Sequence, residues 1–396
     1  MGEASGWTSG EEGAFRYFVG GQYQRRRINE SSGELEFDGD GAPDGGSWQD
    51  QERTFDEFFG TGRFEYDLTD ADTLIFSPTF SSSKENRVQS SFDWDDDHTI
   101  FETRNDETRN RKRQSFAGYT EWQHEFDNGI RSRIFFDYQT GFETTRRVGH
   151  KYDIDPAGNP VSTPKLTLRD AEIDLERFAP GMVFNGTTGI HSWEAGLGTS
   201  RNTRSENEDK DGVFVGDRTF DVEEKIHYGY LSDSFSLLGP DLMTVGVRLE
   251  NSQTETTDIT GGKHRINEMA VNPSLQYRYS VNNDLDLRLG IARTLRRPDL
   301  RDLTPTLKDG KGTIVSPHKR GNPETAPEKI WDIDAGGEWH ILDGTGIVSA
   351  NFSVAVSPIR SRIFFMRNPG NGFPRRAMSA MVSSMVLRQK FAHPSI

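Results

Sequence analysis

Between Asp284 and Ile341 the chain alternates apolar and polar residues in two runs. In the first, Leu285, Leu287, Leu289 and Ile291 interleave with Asp284, Asp286, Arg288 and Gly290. In the second, Trp331, Ile333, Ala335, Gly337, Trp339 and Ile341 interleave with Asp332, Asp334, Gly336, Glu338 and His340. Side chains of a strand point to opposite faces in turn, so each run predicts a ribbon with one apolar and one polar face. A long polar connection separates them, from Arg293 to Lys329, rich in Pro and Gly. The same dyad pattern recurs upstream. Phe15 to Arg27, Phe58 to Tyr66, Phe116 to Phe126, Ile130 to Phe142, Met243 to Leu249 and Leu275 to Tyr279 are the clearest instances.

The connections also alternate. Short turns are predicted at Leu68–Asp72, Asp127-Asn128-Gly129, Asn185–Gly189, Gly239–Asp241, Val281–Asn283 and Asp343–Gly346. Long polar loops are predicted at 28–51, 84–112, 145–166 and 205–212. Asn-Gly favours a tight hairpin turn with positive φ. Pro78 sits badly in a paired strand, and the phase of the pattern slips between Arg177 and Pro180, where a bulge is expected. Counted this way the chain has about thirteen strands, each near the length a tilted barrel strand needs. Short turns at one end and long loops at the other are the pattern of an outer-membrane barrel. The fold class is therefore all-β, an antiparallel transmembrane β-barrel.

Composition supports one wetted face per strand. The chain is 33% hydrophobic yet holds 26 Phe, 10 Tyr, 7 Trp and 40 Gly, which is too aromatic for simple disorder. Acidic residues outnumber basic ones 62 to 47, a net charge of −15 that argues against nucleic acid as a partner. With no cysteine there is no disulfide scaffold and no thiolate metal site. No apolar run is long enough for a transmembrane helix, which leaves a barrel open.

The phrases LRLGIARTLRRPDLRDLTP and GNPETAPEKIWDIDAGGEWHI resemble the late barrel region of a TonB-dependent receptor of the bacterial outer membrane. In that family a strand ends in a Ser/Ala-Arg-Thr-x-x-Arg-Pro phrase and the next follows Gly-Asn-Pro-x-Leu-x-Pro-Glu. The match falls on Ala292, Arg293, Thr294, Arg297, Pro298, Gly321, Asn322, Pro323, Pro327 and Glu328, which the resemblance marks as structural motif residues. Thr325 stands where the family usually has Leu. The resemblance implies an outer-membrane transporter taking up a siderophore, cobalamin or oligosaccharide with energy passed through TonB, and no enzyme activity. It also implies outer-membrane lipid and lipopolysaccharide as partners. It further implies that the barrel is incomplete, since about thirteen strands cannot close the larger barrel of that family, and the plug domain and TonB box of an intact member are expected to be missing. Rival readings are an adhesin or enzyme barrel, whose loop carboxylates would act, and a soluble secreted β-protein.

Few residues offer chemistry. No His-Glu-x-x-His, Gly-x-Ser-x-Gly or Walker loop is present. Asp93-Trp94-Asp95-Asp96-Asp97-His98, or Asp38, Asp40 and Asp44, could offer oxygen ligands to a cation. Neither matches a calcium loop, and solvated loops are the plainer expectation, so no catalytic or metal residue and no cofactor is expected. Arg293, Arg297 and Arg301 could meet lipopolysaccharide phosphates, although a salt-bridged rim is the simpler reading. Trp122, Trp331 and Trp339 are expected in the interfacial aromatic girdles.

By domain, residues 1–11 are expected to be a disordered N-terminus, 12–358 the partial barrel, and 359–396 an irregular tail. The tail loses the alternation and has no Asp or Glu, as a shifted reading frame would produce. No signal peptide is seen at the N-terminus. The Phe15 and Val348 ribbons are expected to be open edges, and the chain by itself is expected to transport nothing.

Overall fold

A computed structural model describes residues 2–37, 41–214, 218–237, 239–304, 307–308, 319–341, 346–356 and 385–391. The strands are β1 (Gly2–Glu12), β2 (Phe15–Phe37), β3 (Pro43–Asp67), β4 (Asp72–Trp94), β5 (Phe101–Glu125) and β6 (Arg131–Asp153). There follow β7 (Lys165–Thr188), β8 (His191–Lys210), β9 (Val213–Phe214), β10 (Phe220–Phe235), β11 (Asp241–Asp258) and β12 (Lys263–Ser280). The last are β13 (Leu285–Arg296), β14 (Leu307–Lys308), β15 (Lys319–Arg320), β16 (Glu328–Ile341), β17 (Gly346–Val356) and β18 (Met385–Phe391). Sixteen of them form one sheet, every neighbour antiparallel and the long strands in chain order; β14 and β15 pair separately. Among the described residues no ladder joins β1 to β17 or β18, so the sheet is an incomplete barrel.

The two faces of the sheet differ as the alternation predicts. On β6, Ile134, Phe136, Tyr138 and Phe142 share one face, opposite Trp122, Thr120, Gly118 and Gln114 of β5. The same outer face carries Leu285, Leu287, Leu289 and Ile291 of β13 against Trp339, Gly337, Ala335 and Ile333 of β16. These apolar side chains lie exposed, Phe136 at 47% and Trp339 at 57%, as suits a surface whose solvent is hydrocarbon. Most buried side chains in β4 to β12, including Glu85, Glu121, Thr145, Val222 and Glu250, fall on the other, inner face. Trp331 and Trp339 lie on the outer face of β16, roughly 27 Å apart along a strand rising ~3.4 Å per residue. With strands tilted by about 35–45° this is a height of roughly 20 Å, close to an apolar band about 25 Å tall with a girdle at each edge. Trp122, near the short turn after β5, donates its indole N–H to Asp72 at 3.0 Å.

The strands are longer than the alternation of apolar residues suggests. β2 to β7 run for 23 to 25 residues each, where about 9–11 suffice to cross a bilayer. The predicted polar loops at 28–51, 84–112 and 205–212 are mostly strand, that at 145–166 is strand over 145–153 and 165–166, and the hairpins close beyond the apolar band. There both faces are polar, so no apolar period marks them. Cross-strand ion pairs take over instead: Arg26 with Glu57 at 2.7 Å, Arg53 with Glu30 at 2.6 Å, Arg111 with Glu143 at 2.8 Å. Each exposed pair contributes only about 0–1 kcal/mol, and the backbone ladder carries the rest.

Other expectations are corrected at the edges and turns. A disordered N-terminus is expected over residues 1–11, yet Gly2–Glu12 form β1 in continuous register with β2, so the Phe15 ribbon is paired on both sides. The Val348 ribbon is likewise flanked, by β16 and by the backbone of β18. That last strand falls within the expected irregular tail, whose remaining residues lie outside those described. The Asp343–Thr345 turn also lies outside them. No register shift occurs at Arg177–Pro180: the ladder to β8 stops at Phe178 and resumes at Gly181 in the same register. Proline, which has no N–H, removes a bond without adding a residue. Pro78 does the same between β3 and β4. The turn after β7 narrows to Gly189 and Ile190, with Gly189 at φ 62°. Asp127-Asn128-Gly129 is the expected tight turn: Gly129 has φ 76° and Asn128 Oδ1 accepts the N–H of Ile130 at 3.1 Å.

Candidate functional site

A cavity of about 580 Å³ opens on the inner face of β5 to β8, beyond the apolar band. Strand parity puts Arg111, Arg113 and Ser115 of β5 on that face, opposite Thr145, Glu143 and Gly141 of β6. Those in turn face Ala171, Ile173 and Leu175 of β7, then Glu208, Glu206 and Arg204 of β8. The floor is thus an apolar strip on β7 between charged strips on β5 and β8. Seven arginines and three glutamates line it.

The charges are cross-linked. Glu85 on β4, 4% exposed, receives Arg109 at 2.5 Å and Arg111 at 3.3 Å. Glu143 receives Arg111 at 2.8 Å and Arg113 at 2.6 Å. Glu208 receives Arg218 at 3.0 Å and Arg169 at 3.7 Å. Burial pushes the Glu85 carboxyl up, but the hydrogen bonds and charges of Arg109 and Arg111 outweigh it and hold Glu85 below the usual carboxylate range. Burial lowers the Arg147 guanidinium from its ordinary value; Glu107 opposes this, and Arg109 and Arg87 add to it.

The long connection after β13 supplies a partial cover. Its 3-10 turn, Leu300–Leu303, places Leu303 in a buried cluster with Phe220 and Val222 of β10, with Leu300 packed alongside. Arg301 then reaches the cavity. Arg297 crosses the inner face to Glu250, with its Nε 3.5 Å from Glu224. Gly321 and Asn322 close over the same turn: the Asn322 N–H donates to the Asp302 carbonyl at 2.8 Å. A Cβ on Gly321 would sit 2.1 Å from the Thr304 carbonyl oxygen, so only glycine fits.

The other motif residues lie at strand ends. Thr294 donates to Asp332 at 3.0 Å, and Arg293 donates to the Val271 carbonyl at 3.1 Å from the outer face. Pro298 follows the end of β13, and Glu328, just after Pro327, opens β16 opposite Arg296. Asn322 Oδ1 accepts the Glu324 N–H at 2.9 Å, fixing the turn at Pro323. The structure therefore separates the three arginines. Arg293 stays outside, Arg297 and Arg301 turn inward, and neither of the latter lines an outer rim.

The acidic stretch at 93–98 closes its own hairpin. Asp95 accepts the N–H groups of Thr99 at 2.6 Å and Ile100 at 3.1 Å, and Asp93 pairs with Lys151 at 3.1 Å. Asp38 and Asp40 lie outside the described residues. Among the described residues no three His, Asp or Glu converge as a metal site would require. The tip of the β11–β12 hairpin shows the commoner use of such carboxylates. Hydrogen bonds from Lys263 and Arg265 hold the Glu255 carboxyl down at about 2, against an ordinary 4.5. A depressed folded pKa stabilises above the unfolded value and loses that stabilisation as pH falls toward the folded one. The support at this tip should be intact at neutral pH and vanish between about 4.5 and 2. A carboxyl titration of Glu255 by NMR checks this, and a midpoint near 4.5 would contradict it.

Sequence reasoning missed most of the cavity arginines: Arg111 and Arg147 fall in segments read as loops, and Arg113, Arg169 and Arg204 stand just outside them, where no apolar period marks a strand. Their signal was present: Arg109, Arg111 and Arg113 recur every second residue, as inward positions of a strand would.

Residues 6–378 match the family described as TonB dependent receptor-like, beta-barrel. No curated protein matches the chain in sequence. Among solved structures, FpvA of P. aeruginosa bound to a heterologous pyoverdine is 12% identical with a TM-score of 0.54, covering 90% of this chain and 46% of its own. The ferripyoverdine receptor of the outer membrane of Pseudomonas aeruginosa, bound to ferripyoverdine, is 10% identical with a TM-score of 0.53, covering 90% and 48%. The alcaligin outer membrane receptor FauA from Bordetella pertussis is 12% identical with a TM-score of 0.44, covering 92% and 56%. The chain thus spans about half the length of the structures it matches. At these identities the likeness concerns the fold, and it agrees with the open antiparallel sheet. The chain belongs to the TonB-dependent receptor family, within its β-barrel, and that family is one of outer-membrane transporters and not of enzymes.

Proposed function

We propose that this barrel segment forms part of the wall of an outer-membrane importer for a small ligand, energised through TonB. The observation that carries the reading is the division of the sheet into two faces. The outer face is an apolar band with tryptophans at its edges, and the inner face is a charged surface with a cavity beyond the band. Such a wall suits a molecule that passes or binds inside while lipid lies outside. Of the ligands the resemblance implies, we favour an iron complex of the siderophore kind, because the related structures above include receptors bound to pyoverdines. Arg293, left on the outer face just past the apolar positions of β13, is suited to a lipopolysaccharide phosphate. The motif residues from Arg293 to Glu328 act structurally, by docking the long connection.

The test is uptake of radiolabelled ferric siderophores by the whole receptor, in a host stripped of its own receptors. Uptake that disappears when TonB is deleted supports the reading. Uptake indifferent to TonB, or none across hydroxamate, catecholate and carboxylate siderophores, rejects it.

A further inference from the structure

One row of the inner face breaks the usual rule of strand pairing. Arg53 of β3 lies opposite Arg87 of β4, which lies opposite Arg109 of β5. Arg109 lies opposite Arg147 of β6, and Arg147 opposite Arg169 of β7. Lys210 of β8 continues the row. Like charges directly opposite on adjacent strands destabilise a sheet. A single such pair is ordinary noise, but a row across this many strands is a standing cost that folding alone does not explain.

Carboxylates offset part of it. Arg53 has Glu30, Arg87 has Glu107, Arg109 has Glu85 and Arg169 has Glu208. Arg147, at the centre between Arg109 and Arg169, has no carboxylate within ion-pair distance among the described residues. The Nε–H groups of Arg87, Arg109 and Arg204 are buried and find no acceptor there. A buried donor without an acceptor is unfavourable, and of these three Arg204 also lines the cavity.

The cavity adjoins this row and shares Arg147 and Arg169 with it. Its lining of seven arginines against three glutamates is net positive, inside a chain whose net charge is −15. A volume of about 580 Å³ falls in the ordinary range for a small-molecule site. A neutral sugar would call for aromatic platforms, yet among the described residues the one aromatic at the cavity, Phe142, has the strand parity of the outer face.

We propose that this cavity binds a compact polyanion through its carboxylate or phosphate oxygens, gripped by Arg147 and Arg169 and closed over by Arg301. Guanidinium forks match both oxygen geometries in bidentate fashion. The apolar strip of Ala171, Ile173 and Leu175 gives the ligand's carbon skeleton a surface. The inference deepens the importer reading, on which its biological role rests, but the binding itself does not depend on transport.

The experiment is calorimetric titration of the detergent-solubilised whole receptor with citrate, with pyrophosphate and with neutral maltotriose. Citrate, pyrophosphate or both should bind, with affinity falling as salt is raised, and maltotriose should not. Which anion binds tells carboxylate from phosphate recognition. Arg147→Gln together with Arg169→Gln should weaken binding at least tenfold, while Lys112→Gln, on the outer face, should leave it unchanged. Folding of each variant is read from its heat-shifted mobility on gels. If the double variant fails to fold, Arg147→Lys replaces it and should weaken binding several-fold, since a point charge cannot make the bidentate contact. Absence of anion binding, unchanged affinity in the arginine variants, or capture of maltotriose instead would overturn the inference. Ferric-siderophore uptake measured separately would still stand or fall on its own.

Discussion

Arginine in place of Phe136 should lower the folding stability of the barrel by about 2–4 kcal/mol, the range for a cation on the lipid face near the bilayer midplane. Phe136 sits in the middle of the apolar run of β6, between Ile134 and Tyr138, and pairs across the ladders with Thr120 and Pro180. About half of its surface is left open to the outer face, at 47% exposed. The loss would therefore come from burying a charge in hydrocarbon and not from a cavity. Gln139, on the opposite face beside Arg177, is the control. Arginine there faces the polar interior and should change stability by less than about 1 kcal/mol. Denaturant titration of the whole receptor folded into vesicles measures both. Equal tolerance at the two positions would mean that the outer face does not meet lipid.

The second large effect is expected at Gly321. In Gly321→Val the new Cβ would lie 2.1 Å from the Thr304 oxygen and 2.7 Å from that of Asp302. Both are backbone atoms, and Thr304 is fully buried, so neither side chain rotation nor a small shift relieves the clash. Overpacking of this kind is destabilising by about 1–3 kcal/mol. Here it falls on the docking of one connection and not on the whole sheet. About 2 kcal/mol raises the population of the undocked connection roughly thirtyfold. Limited proteolysis between Arg297 and Lys329 should accelerate accordingly, while the sheet stays resistant. Unchanged cleavage would show that Gly321 does not hold the connection against the Leu300–Leu303 turn.

Legibility of the fold in the sequence followed the apolar period. Leu285 to Ile291 and Trp331 to Ile341 announce both their strands and their faces, because hydrocarbon outside and water inside impose opposite chemistry on alternate residues. β1 was illegible for the reverse reason. Gly-Glu-Ala-Ser-Gly-Trp-Thr-Ser-Gly-Glu-Glu has no apolar row, and it is held by backbone pairing to β2. The strand extensions beyond the band have polar residues on both faces, and only charge complementarity between strands, as in Arg53 with Glu30, marks them. That information is non-local and depends on register. The family phrase around Arg297 and Gly321 pointed to a structural unit, yet not to its inward docking, which depends on Leu303 meeting Phe220 and Val222 from far along the chain. The arginine row was hidden in the same way: Arg53, Arg87, Arg109, Arg147 and Arg169 become neighbours only once five strands are aligned.

The two-faced sheet is tested most directly by a nitroxide scan of β6 in the whole receptor, reconstituted in lipid. This chain has no cysteine, so with any cysteine elsewhere in the receptor replaced by serine, single cysteines at positions 134 to 139 can be labelled one at a time. Accessibility to oxygen, which partitions into lipid, should peak at Ile134, Phe136 and Tyr138. Accessibility to a water-soluble nickel chelate should show no such peaks, and oxygen accessibility should fall at Phe135, Asp137 and Gln139. A period of two with that phase is the expected result; a flat profile, a period near 3.6, or the opposite phase would contradict a lipid-facing barrel wall.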